Sequence, residues 1–313
     1  MMGKYRGGLC ILALFAIIGI GCNSKEGEKD QQDTYNSGTI HISCDETFKP
    51  VIDAQVQVFQ WQNPDAKIIV HYKPEAECLK DFLVDSIRMV IATRGASEGE
   101  MQLVSDSLQL SMENAVVARD LIAVIVNKAS RDTFYSLTEI RELLTGKAKK
   151  NLIPVFDGTS ATSTVRFMLD SVLQGEKLSP QVVAAESSRG VIDYVSKVPD
   201  AVGFVGFSWI GNEDDTAQLS DRKKIKVAYL ESTDSAGAYV QPSQYFIYTD
   251  SYPMVRDLVY VMKERHQGLA HSFARFLLQL DKGQLIFRRS YIMPVRWPNY
   301  VREVILNENI NNQ

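Results

Sequence analysis

Residues 153–165 read I-P-V-F-D-G-T-S-A-T-S-T-V. A short apolar run meets Asp157 and Gly158, then a crowd of small hydroxyls that includes Ser160, Thr162 and Ser163 around Ala161. The apolar spacing that follows predicts a helix over 162–173. A helix start leaves its first backbone N–H groups unpaired and carries about half a positive charge. Hydroxyls and small side chains there can cradle an oxyanion such as phosphate or sulfate. They equally suit a turn closed by an N-cap, since Ser and Thr are preferred caps. The segment alone leaves both readings open.

Outward from it, the chain alternates. Strands are expected at 39–43, 67–72, 88–92, 115–126, 152–156, 201–207, 225–230 and 245–248. Helices are expected at 48–61, 77–86, 137–145, 162–173, 188–198, 254–266 and 269–280. This rhythm implies an α/β fold with parallel pairing and helices on both sheet faces. In open sheets of that kind, ligands sit outside the carboxyl ends of the strands. Those ends carry Cys44, Asp45, Glu46 and Thr47, then Pro74 and Glu75, then Thr93 and Arg94, then Asp157 to Ser163. Hydroxyls, one arginine and several acids thus converge on one sheet edge. The glycines of A-V-G-F-V-G-F at 201–207 predict close approach of another element.

The 313 residues suffice for two domains, and 34 Lys and Arg stand against 38 Asp and Glu. That balance argues against a nucleic-acid partner, which would ask for a basic stripe. Lys4 and Arg6 precede an apolar run at 9–20 that is too short to span a membrane stably. The run ends in I-G-I-G-C and gives way to a polar stretch, a pattern that resembles a bacterial lipoprotein signal. The expectation is a signal peptide over 1–21, a lipid on Cys22 and a flexible tether over 22–37. The protein would then work outside the cytoplasm, anchored on the periplasmic side of a membrane or at the cell surface. Cys44 and Cys78 remain; they form a disulfide if the loops after the first two strands meet, and otherwise stay free.

Several segments in order carry a resemblance: D-L-I-A-V-I-V-N from Asp120, S-L-T-E-I-R-E-L-L-T-G-K from Ser136, D-G-T-S-A-T-S from Asp157, V-P-D-A-V-G-F-V-G-F from Val198, then K-G-Q and Y-I-M-P-V. The chain resembles the phosphate-binding components of bacterial ABC phosphate transporters, which are type II periplasmic binding proteins. The resemblance implies two α/β lobes, each a mostly parallel sheet flanked by helices, joined by crossing strands around a ligand cleft. Lobe one would be 38–117 plus 243–313 and lobe two 118–242. It also implies inorganic phosphate as ligand, a membrane permease as partner, a monomer and no enzymatic activity. The family's lobe-two hydroxyl motif falls on Ser160, Ala161, Thr162 and Ser163, with Asp157 as the acid before it. Its first loop falls on Glu46 and Thr47, and the pair after the third strand on Thr93 and Arg94. Three departures stand out. Val155 occupies a position where many members have arginine, Ala161 replaces a glycine, and the Gly-Ser-Gly loop after the second strand is replaced by Lys73, Pro74, Glu75, Ala76 and Glu77.

Hydroxyls and Arg94 would neutralise the buried anion, because an unpaired buried charge is very costly. Monohydrogen phosphate keeps a proton and sulfate does not, so a carboxylate acceptor, Asp157 or Glu46, would select phosphate. Two other classes stay open: a related lipoprotein that binds another oxyanion or acts as a sensor, and a serine hydrolase using Ser160 in G-T-S-A-T, which departs from the nucleophile elbow at its last residue. His41 and His71 lie on separate strands without further ligands at metal spacing, so neither metal nor cofactor is expected.

Overall fold

The computed structural model describes residues 33–158 and 160–297. The expected signal peptide, Cys22 and most of the tether lie outside the described residues. The chain opens with β1 (Gly38–Asp45), α1 (Lys49–Gln62), β2 (Ala66–Lys73), α2 (Glu75–Lys80), β3 (Ile87–Ala92) and α3 (Glu98–Leu108). The strand β4 (Met112–Asn127) leads to β5 (Phe134–Tyr135), α4 (Leu137–Thr145), β6 (Ile153–Phe156), α5 (Ser163–Phe167), β7 (Val183–Ala184), α6 (Ser188–Lys197) and β8 (Ala201–Gly206). There follow α7 (Thr216–Arg222), β9 (Ile225–Val227), β10 (Tyr229–Glu231), β11 (Tyr239–Val240) and α8 (Gln244–Tyr248). The chain closes with β12 (Val255–Lys263), α9 (Leu269–Leu278), α10 (Gly283–Arg289) and β13 (Met293–Pro294).

The main sheet runs β2-β1-β3-β12-β4-β8-β6-β7. Pairing is parallel within β2-β1-β3 and within β8-β6-β7, and antiparallel where β12 and β4 join the two groups. Each parallel group has its own core. Ile40, Ile42, Phe48, Phe59 and Phe273 pack in one; Phe156, Val165, Val191, Phe204 and Val205 pack in the other. The strand β4 serves both, with Val117 and Ala118 in the first core and Leu121 to Val126 in the second. Its neighbour β12 crosses back, with Val255 against the second core and Leu258, Tyr260 and Met262 in the first.

That crossing corrects two expectations. Residues 254–266 are largely a strand, not a helix. A central strand buried on both faces is a continuous apolar run, and its period cannot be told from that of a buried helix. Here Leu258, Tyr260 and Met262 face one cluster and Val261 the opposite one, the alternation of a pleat. Residues 245–248 are the helix α8 and not a strand, because the Ser243 hydroxyl accepts the Phe246 N–H as an N-cap. Ile247, Tyr252 and Met254 pack with the second core. The helix α3, not expected, is started by a capping box of Ser97 and Glu100. Of the two outcomes open for the cysteines, the structure shows the free thiols. Cys44 and Cys78 are free and buried, Cys78 sits within α2, and the thiols donate to the carbonyls of Asp45 and Lys73 respectively.

Candidate functional site

The carboxyl ends of β1 and β6 face each other across the crossing strands. At the end of β1, Asp45 caps a short 3-10 turn, its Oδ1 accepting the Thr47 N–H at 3.1 Å and the Thr47 hydroxyl at 3.0 Å. At the end of β6, Gly158 holds φ at 148°, a backbone region that favours glycine, and lets the chain turn into α5. Thr162 is the N-cap of α5, accepting the Val165 N–H. The first residues of the helix, Ser163 and Thr164, are fully buried. The two halves meet where the Thr47 and Ser163 hydroxyls lie 3.4 Å apart.

Between them stands a residue that the sequence did not single out, Arg256. Its Nη1 donates to the Ser163 hydroxyl at 2.9 Å and to that of Thr164 at 3.3 Å. Its Nε and Nη2 donate to Asp120 Oδ2 at 3.2 and 2.8 Å, and the guanidinium lies over the Phe48 ring. Arg256 and Asp120 are register partners on β12 and β4, at the point where both strands pass between the cores. Gly206 at the end of β8 leaves room for this pair, since a Cβ there would press on Arg256, Asp120 and Thr47 together. Only the burial of Arg256 distinguishes it from any other charged residue, and burial is not readable from spacing.

The site is rich in acid. Burial pushes the Asp45 carboxyl up to about 7, although Arg256 and Ser163 pull it down. Burial also raises Glu46 and Asp157 above the usual carboxylate range. Glu46 accepts the Ser188 hydroxyl at 2.8 Å and the Ser188 N–H at 3.3 Å, at the start of α6 in the opposite half. Ser188 in turn lies 3.4 Å from Asp157 Oδ2. One oxygen each of Asp45, Asp120 and Asp157 is buried with no hydrogen-bond partner among the described residues.

The remaining expected residues are arranged otherwise. Arg94 is turned to Glu100, with two contacts of 2.8 Å, and serves the start of α3. Thr93 gives its N–H and hydroxyl to Glu75. Glu75, 2% exposed, also receives Arg166 of α5 at 2.7 Å, and the Ala76 N–H reaches the Ala161 carbonyl at 3.0 Å. The loop that departs from the family pattern therefore holds the two halves together at the rim. Ser160 is exposed and away from this cluster. Thus Glu46, Thr47, Asp157, Thr162 and Ser163 come together, with Arg256 among them, while Arg94 is paired with Glu100. His41 and His71 stack on adjacent strands, with Nδ1 and Nε2 2.9 Å apart. No described helix is long and apolar enough to cross a membrane.

Comparison with known proteins gives a consistent picture. A family model described as a PBP superfamily domain matches residues 29–280. A phosphate-binding protein PstS of Bacillus subtilis is 23% identical over 315 aligned positions, covering 92% of this chain and 93% of the relative. Among solved structures, a phosphate ABC transporter substrate-binding protein of Clostridium perfringens, solved with bound phosphate, superposes with a TM-score of 0.66 at 20% identity, covering 83% of this chain and all of that one. An ABC-type phosphate transport receptor of Vibrio cholerae gives 0.60 at 14% identity, over 81% of this chain and 99% of the other.

Proposed function

The chain belongs to the PBP superfamily, and on that premise we propose that it is an extracytoplasmic solute-binding protein that captures inorganic phosphate between two lobes and delivers it to an ABC transporter. The lobes are residues 38–117 with the C-terminal part of the chain, and 118 to the return within β12. The observation that carries the reading is the buried Arg256 guanidinium, with Ser163 and Thr164 on one side and Thr47 and Asp45 on the other. It offers charge and N–H donors where the two carboxyl ends of the sheet converge. PstS of Bacillus subtilis supports the choice of phosphate by name.

The acids supply selectivity. The carboxylate oxygen of Asp157 that lacks a partner can accept the proton of monohydrogen phosphate. Sulfate would set an oxygen lone pair against it, in a site too dry to screen the repulsion. With one arginine facing several acids, a doubly charged ligand is tolerated best when Asp45 holds its own proton. Affinity therefore falls as pH rises through about 7 and Asp45 ionises. Release requires the lobes to part, which breaks the contacts Glu46–Ser188 and Glu75–Arg166 and leaves Arg256–Asp120 intact. Residues 1–21 and Cys22 support export and lipid anchoring beside the permease, with the protein acting as a monomer.

Calorimetric titration of the ligand-free protein with phosphate, then with sulfate, arsenate and molybdate, tests the reading. Phosphate should bind with one site and sulfate should compete poorly. A protein that takes up sulfate as well as phosphate would have no proton-reading acid. One that binds only a different oxyanion would be a transporter component or sensor for that anion.

A further inference from the structure

We propose that Asp33, Glu264 and His266 form a binding site for a divalent transition-metal ion, remote from the interlobe cleft and independent of its ligand. A carboxylate oxygen of each acid and a ring nitrogen of the histidine all lie within 4.8 Å of one another. They converge beside Gly268, where a Cβ would collide with Asp33 Oδ2, His266 Nε2 and Glu264 Oε1 together. A glycine is thus what lets the three groups converge at this turn.

The second observation is Glu264 itself. Its side chain is wholly buried, and its Oε1 has no hydrogen-bond partner among the described residues. A buried carboxylate oxygen without a partner has lost its hydration, and among the described residues the second carboxylate across the gap meets a cation only in Arg88, 3.7 Å from Asp33 Oδ1. A cation at the gap offsets that loss. The other oxygen is already fixed, with His271 Nδ1 at 2.6 Å and the Gly268 N–H at 3.3 Å. Asp33 is fixed too, its Oδ2 accepting the Leu269 N–H at 2.6 Å. Such outer partners are what orient ligands at metal centres.

The donor set selects the ion. Two carboxylates and one imidazole suit Zn²⁺ and its neighbours, whereas Ca²⁺ and Mg²⁺ ask for oxygen alone. His266 Nε2 lies 2.9 Å from the Asp33 carbonyl oxygen. For the ion to bind there, Nε2 must give up any proton it shares with that carbonyl, and the proton leaves to solvent. The ion would clip the start of the first lobe, at Asp33, to the turn between β12 and α9, segments 233 residues apart along the chain.

The test is titration of the full chain with Zn²⁺ by calorimetry, and with Co²⁺ by visible absorption, in chelator-washed buffer. About one equivalent is expected, with a thermal midpoint that rises on loading and returns with EDTA. Glu264→Gln and His266→Ala should abolish uptake, and His271→Ala should weaken it about tenfold. A His41→Ala, His71→Ala double variant should bind as the wild type does, which separates this site from the stacked pair. Absence of saturable uptake overturns the proposal, as does uptake that survives Glu264→Gln or disappears in the double variant. Where the site variants fail to fold, the Co²⁺ spectrum of the double variant decides: a band saturating at one equivalent sustains the site and its absence ends it.

Discussion

Two arginine–carboxylate pairs lie close together in this molecule and differ in solvent and in attachment. Arg256 and Asp120 are 2.8 Å apart, with side chains 3% and 0% exposed; Arg166 and Glu75 are 2.7 Å apart, with 38% and 2%. The first pair sits on register partners of two neighbouring strands, so both ends move together when the lobes part. The second joins α2 to α5 across the rim, so it must break. Equal distances therefore conceal different tasks. On the proposed function, the inner pair is a fixed charge beside the cleft, and the outer pair would be a latch that closure makes and opening releases.

The largest effect should come from breaking the inner pair. Arg256→Met leaves Asp120 buried without its partner, which costs about 3–5 kcal/mol of stability in a denaturant titration. Replacing both, as Arg256→Met with Asp120→Leu, should recover most of that, since well-packed apolar substitutes for a buried ion pair are often neutral. Phosphate binding should not return in the double variant. If it does, the guanidinium is a strut and not a ligand donor, and the functional reading fails.

Asp45 sharpens the comparison because Arg256 is its nearest charge compensation. Its carboxyl is raised from 3.8 to about 7, so the folded state holds a proton that the unfolded chain has lost. The stability this brings is fully present below about pH 4 and is lost as pH rises through 7. Asp45→Asn keeps the Oδ1 acceptor for Thr47 and removes the titration. In the ligand-free protein it should stabilise by about 2 kcal/mol at pH 8 and by little at pH 4. A gain of equal size at both pH values would place the effect in packing and not in charge.

The contrast between the pairs also explains what could be read from the chain. The β6–α5 corner was legible because its apolar run, Gly158 and hydroxyl residues are local signals; they predicted a cap among these hydroxyls, and the structure makes it Thr162. Ser163 and Thr47 followed from the rule that strand ends converge. Arg256 was hidden because its strand was buried on both faces and imitated a helix, so no argument placed it at a strand position facing Asp120. Arg94 misled for the opposite reason. It stands at a strand end, as expected, but Glu100 in the unexpected capping box of α3 takes its guanidinium. Glu75 stood out as a departure, yet its partner Arg166 lies 91 residues away and sequence spacing cannot join them.

The smallest effect belongs to the latch. Burial pushes the Glu75 carboxyl up, but Arg166 and Thr93 more than offset this and hold it below the usual range. Arg166 is over a third exposed, so its charge is partly screened and its loss is worth about 1 kcal/mol, not the value of a dry pair. Arg166→Gln keeps a donor for Glu75 but not the charge. If the proposed opening breaks the contact, that energy appears in the closing equilibrium more than in unfolding. Phosphate affinity should fall about fivefold, the ratio that 1 kcal/mol sets, mainly through faster dissociation. Solution scattering should show a larger radius of gyration for the ligand-free variant and the wild-type value once phosphate is saturating. An unchanged radius with unchanged dissociation would make Arg166 a surface ion pair. The Ala76–Ala161 backbone contact and Glu46–Ser188 would then remain as the contacts that close the halves.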